Sequence, residues 1–100
     1  MKNYFKYGDK VILRSFHNTL HVPEDVDDTE NYWKLIGSVG KIISNKKKSH
    51  PAFLNMGERV LVKFENIEKF GLICHNEIPN SLWIFLSDLA YPQETGLDLD

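Results

Sequence analysis

Four short apolar stretches rich in β-branched residues constrain this chain most: residues 11–13, 38–43, 59–64 and 82–86, each bounded by glycine, asparagine or charge. Stretches of this length match half-buried strands separated by turns rather than amphipathic helices. In the third, Val60, Val62 and Phe64 alternate with Arg59, Leu61 and Lys63. A side-chain period of two puts the first set on one face of a strand and the second set on the other. The expected core is Val11, Leu13, Val39, Val60, Val62, Phe64, Leu82 and Ile84, wrapped by a small, strongly bent antiparallel barrel.

The segments between these stretches divide by composition. Residues 14–35 contain Pro23, a run of acids and little alternation, which predicts a long loop with one helical turn. Its apolar end, Tyr32, Trp33, Leu35 and Ile36, anchors the loop before Gly37 and Gly40 bend the chain into the second strand. Pro51 argues against a central strand in the connection 45–57. Residues 66–80 read as a long hairpin region with a strand candidate at 70–74, which brings the strand count to five. Leu86 and Leu89, three apart where the chain must reverse, predict a short 3₁₀ turn. The barrel is expected over residues 1–91 and a frayed acidic tail over 92–100.

A chain of 100 residues makes one domain. Cys74 is the single cysteine, which excludes an intrachain disulfide and suits a reducing compartment. No stretch reaches the roughly 18 to 20 apolar residues of a membrane span, and residues 1–7 lack the apolar region of a signal peptide. A cytoplasmic location without membrane contact is the expectation. The formal net charge is −2, so the overall electrostatic footprint of a nucleic-acid binder is missing. Charge is instead local: Glu24, Asp25, Asp27, Asp28 and Glu30 crowd one loop, and Lys46, Lys47 and Lys48 another.

The order Gly8-Asp9 before residues 10–14, then Tyr32-Trp33, Gly37-Ser38-Val39-Gly40, residues 60–66, Gly71 and Asn80-Ser81-Leu82-Trp83 with Leu89, resembles the small SH3-like barrel of the photosystem I peripheral subunit on the stromal side. The resemblance spans most of the chain, and the acidic insertion before Tyr32 and the basic connection at 46–51 are additions to that compact pattern. It implies an all-β, five-stranded SH3-like antiparallel barrel that is not an enzyme and works by presenting loops to another protein.

The residues themselves offer little chemistry. His17 and His21, four apart and followed by Glu24 and Asp25, have metal-ligand spacing only on a helix, and no second ligand group accompanies them. Cys74 and His75 are neighbours that would point to opposite faces of a strand, so the thiol is expected to be buried and structural. No phosphate-binding, dinucleotide or nucleophile-elbow motif occurs, and no metal or cofactor is expected. Two binding readings remain. In the first, Glu24, Asp25, Asp27, Asp28, Glu30 and Trp33 engage a protein with a basic surface, most concretely a toxin nuclease held by an immunity-type inhibitor. In the second and weaker one, Lys46, Lys47, Lys48 and Trp83, with Phe53, bind nucleic acid by charge and base stacking.

Overall fold

The computed structural model describes residues 5–44, 48–49, 52, 55 and 57–92. Its strands are β1 (Lys10–Leu13), β2 (Val39–Ile42), β3 (Lys48–Ser49), β4 (Glu58–Lys63), β5 (Ser81–Phe85) and β6 (Leu89–Ala90), with one helical turn, α1 (Asn66–Lys69), between β4 and β5. All pairings are antiparallel: β6, β1, β2 and β4 lie side by side in that order, β3 follows β2 along the same edge of β4, and β5 takes the other edge. The all-β antiparallel expectation holds. Among the described residues no ladder joins β5 to β6, so the sheet curls around its core without closing.

Alternation in β4 and β5 has the expected register: Val60 faces Ile84 and Val62 faces Leu82 across the pair. Their side chains join Val11, Leu13, Ile42, Leu35, Phe64 and Ile67 in one buried cluster. Val39 is the exception among the expected core residues, being 45% exposed. β2 turns Gly40 and Ile42 inward instead. The reason is steric: a Cβ on Gly40 would lie 2.6 Å from Val62 Cγ1 and 2.7 Å from Phe64 Cε1, so β2 can approach β4 only where a residue without a side chain faces the core.

The strand expected at 70–74 is absent. Ile67 is fully buried and pulls residues 66–69 into a helical turn, and Gly71 stops it at φ +72° with the Leu72 N–H donating to the Ile67 carbonyl at 2.9 Å. A residue at positive φ cannot continue an extended run. Two short strands that the sequence did not single out appear instead: β3, paired with the start of β4, and β6, which pairs Ile12 with Ala90 and Leu13 with Leu89. The 3₁₀ turn expected before it spans Leu86–Asp88. Pro92 is buried, and the rest of the expected tail, from 93, lies outside the described residues.

The outer face of the sheet carries a row of like charge. Lys10 pairs with Lys41, and Lys41 with Lys63. All three are exposed, and like charges directly opposite on neighbouring strands repel.

The long loop, residues 14–38, is built on a tight turn at its start. His17 and Asn18 have φ of 51° and 62°, and Phe16 and Thr19 exchange main-chain hydrogen bonds of 3.0 and 3.1 Å across them. Two left-handed residues make the hairpin turn that suits right-twisted strands. Asp88 holds this turn from the far end of the chain. Its fully buried carboxylate accepts the Ser15 hydroxyl at 2.5 Å, the His17 N–H at 2.9 Å and the Asn18 N–H at 2.8 Å. The Asp88 carbonyl accepts the Arg14 N–H at 2.9 Å. The loop then makes two 3₁₀ turns, Asp28–Glu30 and Tyr32–Leu35, and Leu35 ends it inside the core as the aromatic anchor predicts.

Candidate functional site

Between the long loop and β5 lies a groove of 620 Å³, within the size range of ligand pockets. Asp25, Asp27 and Glu30 form its acidic lip, and Phe16, Tyr32 and Trp33 its aromatic wall. Leu82 and Trp83 of β5, Arg59 of β4, and His75 and Asn76 of the segment before β5 line it as well.

The aromatic wall is a packed unit. Phe16 meets Trp33 edge to face at 4.8 Å between ring centroids, lies 5.6 Å from Tyr32, and stacks on His17 at 4.5 Å. Such pairs favour tilted and edge contacts because ring edges are positive and faces negative. His17 reaches on to Phe85 at 5.6 Å, so the turn pinned by Asp88 also sets the position of the wall. The Trp33 Nε1–H is buried without an acceptor among the described residues, a donor left beside the groove.

Three contacts tie the loop to the segment before β5. The Tyr32 hydroxyl donates to the Ile73 carbonyl at 2.5 Å, the Ile73 N–H donates to the Thr29 carbonyl at 2.8 Å, and His75 Nε2 lies 3.1 Å from Glu30 Oε2. Burial, followed by the nearby Glu30 and Cys74 charges, pushes the Tyr32 hydroxyl above its ordinary value, which keeps it a donor. Lys48 Nζ sits 4.9 Å from the Trp83 ring centroid and the Arg59 guanidinium carbon 5.8 Å from it. Both distances suit cation–π attraction. Burial lowers the Arg59 guanidinium from its ordinary value.

The structure therefore gathers part of each expected set. Asp25, Asp27, Glu30 and Trp33 come together as the acidic-loop reading requires, whereas Glu24 and Asp28 do not line the groove. Asp28 is instead paired with Lys34 at 2.9 Å. Trp83, assigned by sequence to the nucleic-acid alternative, stands in the same groove as the acids. Lys48 joins it from β3, while Lys46, Lys47 and Phe53 lie outside the described residues. Sequence reasoning missed Arg59 and Leu82 as site residues, whose chain distance from the acidic loop exceeds 28 positions. For Arg59 the one available signal was a charged residue on the outward face of β4, opposite Phe85.

Cys74 is half-buried, not fully buried, and points away from His75. Its sulfur lies 3.3 Å from both the Ile78 and the Ser81 carbonyl oxygens, which share the single S–H proton, while His75 turns to Glu30. Burial raises the thiol, but hydrogen bonds from the backbone of Ser81, Asn76 and Asn80 and from the Ser81 side chain outweigh it, and the net shift is downward. His17 lies in a turn and His21 on the exposed loop, and among the described residues no group of three or more His, Cys, Asp or Glu is placed to hold a metal ion. No described helix is long and apolar enough to cross a membrane. No protein-family model, curated protein or solved structure matches this chain.

Proposed function

We propose that this protein is a non-catalytic protein-binding module, in its most concrete form a cytoplasmic immunity-type inhibitor whose acidic loop occupies the basic cleft of a toxin nuclease. The observation that carries this reading is the placement of Asp25, Asp27 and Glu30 along one lip of an aromatic groove. All three are exposed, so their charge acts outward on an approaching cationic surface. The lip is held in shape before any partner arrives, by the Asp88 contacts at one end of the loop and the Ile73 and His75 contacts at the other. Prior ordering reduces the entropy lost on association. A phosphate-binding cleft lined with lysine and arginine is a surface such carboxylates fit.

The test is calorimetric titration against small basic nucleases with the wild-type protein and with a variant carrying Asp25→Asn, Asp27→Asn and Glu30→Gln. Binding should weaken at least tenfold in the variant, and its dependence on salt should flatten. Equal binding by both proteins would overturn the reading. The nucleic-acid alternative is favoured by one observation, the Lys48 and Arg59 cations beside Trp83. Salt-sensitive binding of single-stranded DNA, lost when Lys46, Lys47 and Lys48 become glutamine, would put that reading in its place. The acids lining the same groove weigh against it, because they repel phosphate.

A further inference from the structure

Main-chain accounting along β5 leaves the Trp83 groups unfilled among the described residues. The Phe64 N–H donates to the Asn80 carbonyl at 2.8 Å, so in this antiparallel pair the hydrogen-bonded positions are Phe64 with Asn80, Val62 with Leu82 and Val60 with Ile84. The intervening pairs, Lys63 with Ser81, Leu61 with Trp83 and Arg59 with Phe85, turn their main-chain groups away from each other. The other side of β4 agrees: the Leu61 carbonyl accepts the Ile43 N–H at 3.0 Å and so faces β2. On β5 the N–H and C=O of Trp83 must then point to the edge away from β4.

That edge has no partner strand among the described residues, but its start is covered. The Ser81 carbonyl accepts Asn76 Nδ2 at 2.7 Å and the Cys74 thiol at 3.3 Å. At the far end the His17 ring stands against Phe85. Trp83 lies between these covers and borders the groove, and among the described residues no hydrogen bond reaches its main chain from the groove side. An open stretch of edge is a template for another strand.

We propose that an extended segment of a partner protein is captured on this edge, one of its residues exchanging main-chain hydrogen bonds with the N–H and C=O of Trp83, while a flanking lysine or arginine reaches Asp25, Asp27 and Glu30. The alternation of a strand supplies the second half. The guest residue opposite Trp83 shares its outward face, and the two residues flanking it share the face of Leu82, which lines the groove together with Asp25, Asp27 and Glu30. Charge complementarity with that lip selects a basic segment over a neutral or acidic one. This mode of docking rests on the acidic-groove reading and adds how the partner is held.

The probe is the peptide acetyl-Lys-Val-Lys-Val-Lys-amide, titrated against the full chain by amide NMR. Bound peptide should slow hydrogen exchange of the Trp83 N–H at least tenfold. Trp83→Pro removes that N–H but no bond to β4, and proline is tolerated at such edge positions. Trp83→Ala removes the ring and keeps the N–H. The proline variant should bind at least tenfold more weakly than the alanine variant. Should the proline variant not fold, the exchange measurement on the wild type decides alone. Unchanged Trp83 exchange on binding, or equal affinity of folded proline and alanine variants, would overturn edge capture while leaving the acidic-groove reading in force, provided neutralising Asp25, Asp27 and Glu30 still abolishes binding. Binding that survives that neutralisation, no binding at millimolar peptide, or a concentration-dependent dimer protecting Trp83 without peptide would each overturn the proposal.

Discussion

β4 and the long loop both deliver large apolar groups to the interior, yet they are ordered by opposite means. Val60, Val62 and Phe64 reach the core because a strand alternates and its neighbours on both edges hold the register. Phe16, Tyr32, Trp33 and Leu35 reach it from a segment with almost no ladder, whose path is set by one carboxylate some 70 positions away in the chain and by three contacts to the segment before β5. Order in the strand is distributed over many equivalent bonds. In the loop it is concentrated in a few, so single substitutions should separate the two regions sharply.

The sharpest break is Asp88→Ala. It removes three hydrogen bonds to a buried carboxylate and leaves the turn N–H groups of His17 and Asn18 without acceptors. A loss of about 3 to 5 kcal/mol is expected, below the simple sum of three bonds at about 1.5 to 3 kcal/mol each because a loosened turn lets water reach the freed N–H groups. Chemical denaturation reads the loss, and amide exchange should show residues 14–38 loosened beyond the strands. A uniform loss across the molecule would mean that the loop and sheet are one unit. Val62→Ala is the counterpart in the sheet. It should cost about 1 to 3 kcal/mol and leave the Phe16, Tyr32 and Trp33 resonances near their places.

Gly40→Ala probes the sheet from the other direction by overfilling it. The new methyl would strike Val62 and Phe64, and about 1 to 2 kcal/mol of destabilisation is expected. A neutral result would show that β2 can move off β4. The smallest effect, and the one of opposite sign, belongs to the lysine row. Lys41→Glu converts two like-charge neighbours into attractive pairs and should stabilise by about 0.5 kcal/mol, less in high salt. Neutralising Asp25, Asp27 and Glu30 should change stability by no more than about 0.5 kcal/mol, since exposed loop charges carry little of the fold. A larger loss would assign the acidic lip to folding rather than to binding.

Legibility in the sequence follows the same division. The faces of β4 and β5 could be read directly, because burial on one face writes a period of two into the residues. Val39 was misplaced because Gly40, with no side chain, is silent in any hydrophobic pattern; its role comes from the distance between two strands. Residues 70–74 look like a strand by composition, but Ile67 finds a buried site and Gly71 adopts positive φ, and both facts depend on packing. For the candidate site, the acids and Trp33 were visible as a cluster, and Trp83 as the stacking aromatic of the nucleic-acid alternative. That they face one groove was not visible.

By itself the sequence determined the all-β class, the inward faces of β4 and β5, the 3₁₀ turn before β6 and the acidity of the long loop, because alternation, turn residues and charge are local properties of the chain. Only the tertiary structure decided that Asp88 pins the turn at His17 and Asn18, that Asp28 is withdrawn to Lys34 while Asp25, Asp27 and Glu30 line the groove, and that the main chain of Trp83 faces away from β4. Each of these joins groups distant in the chain or depends on the hydrogen-bonding phase of a strand pair, and neither leaves a periodic trace in the residues.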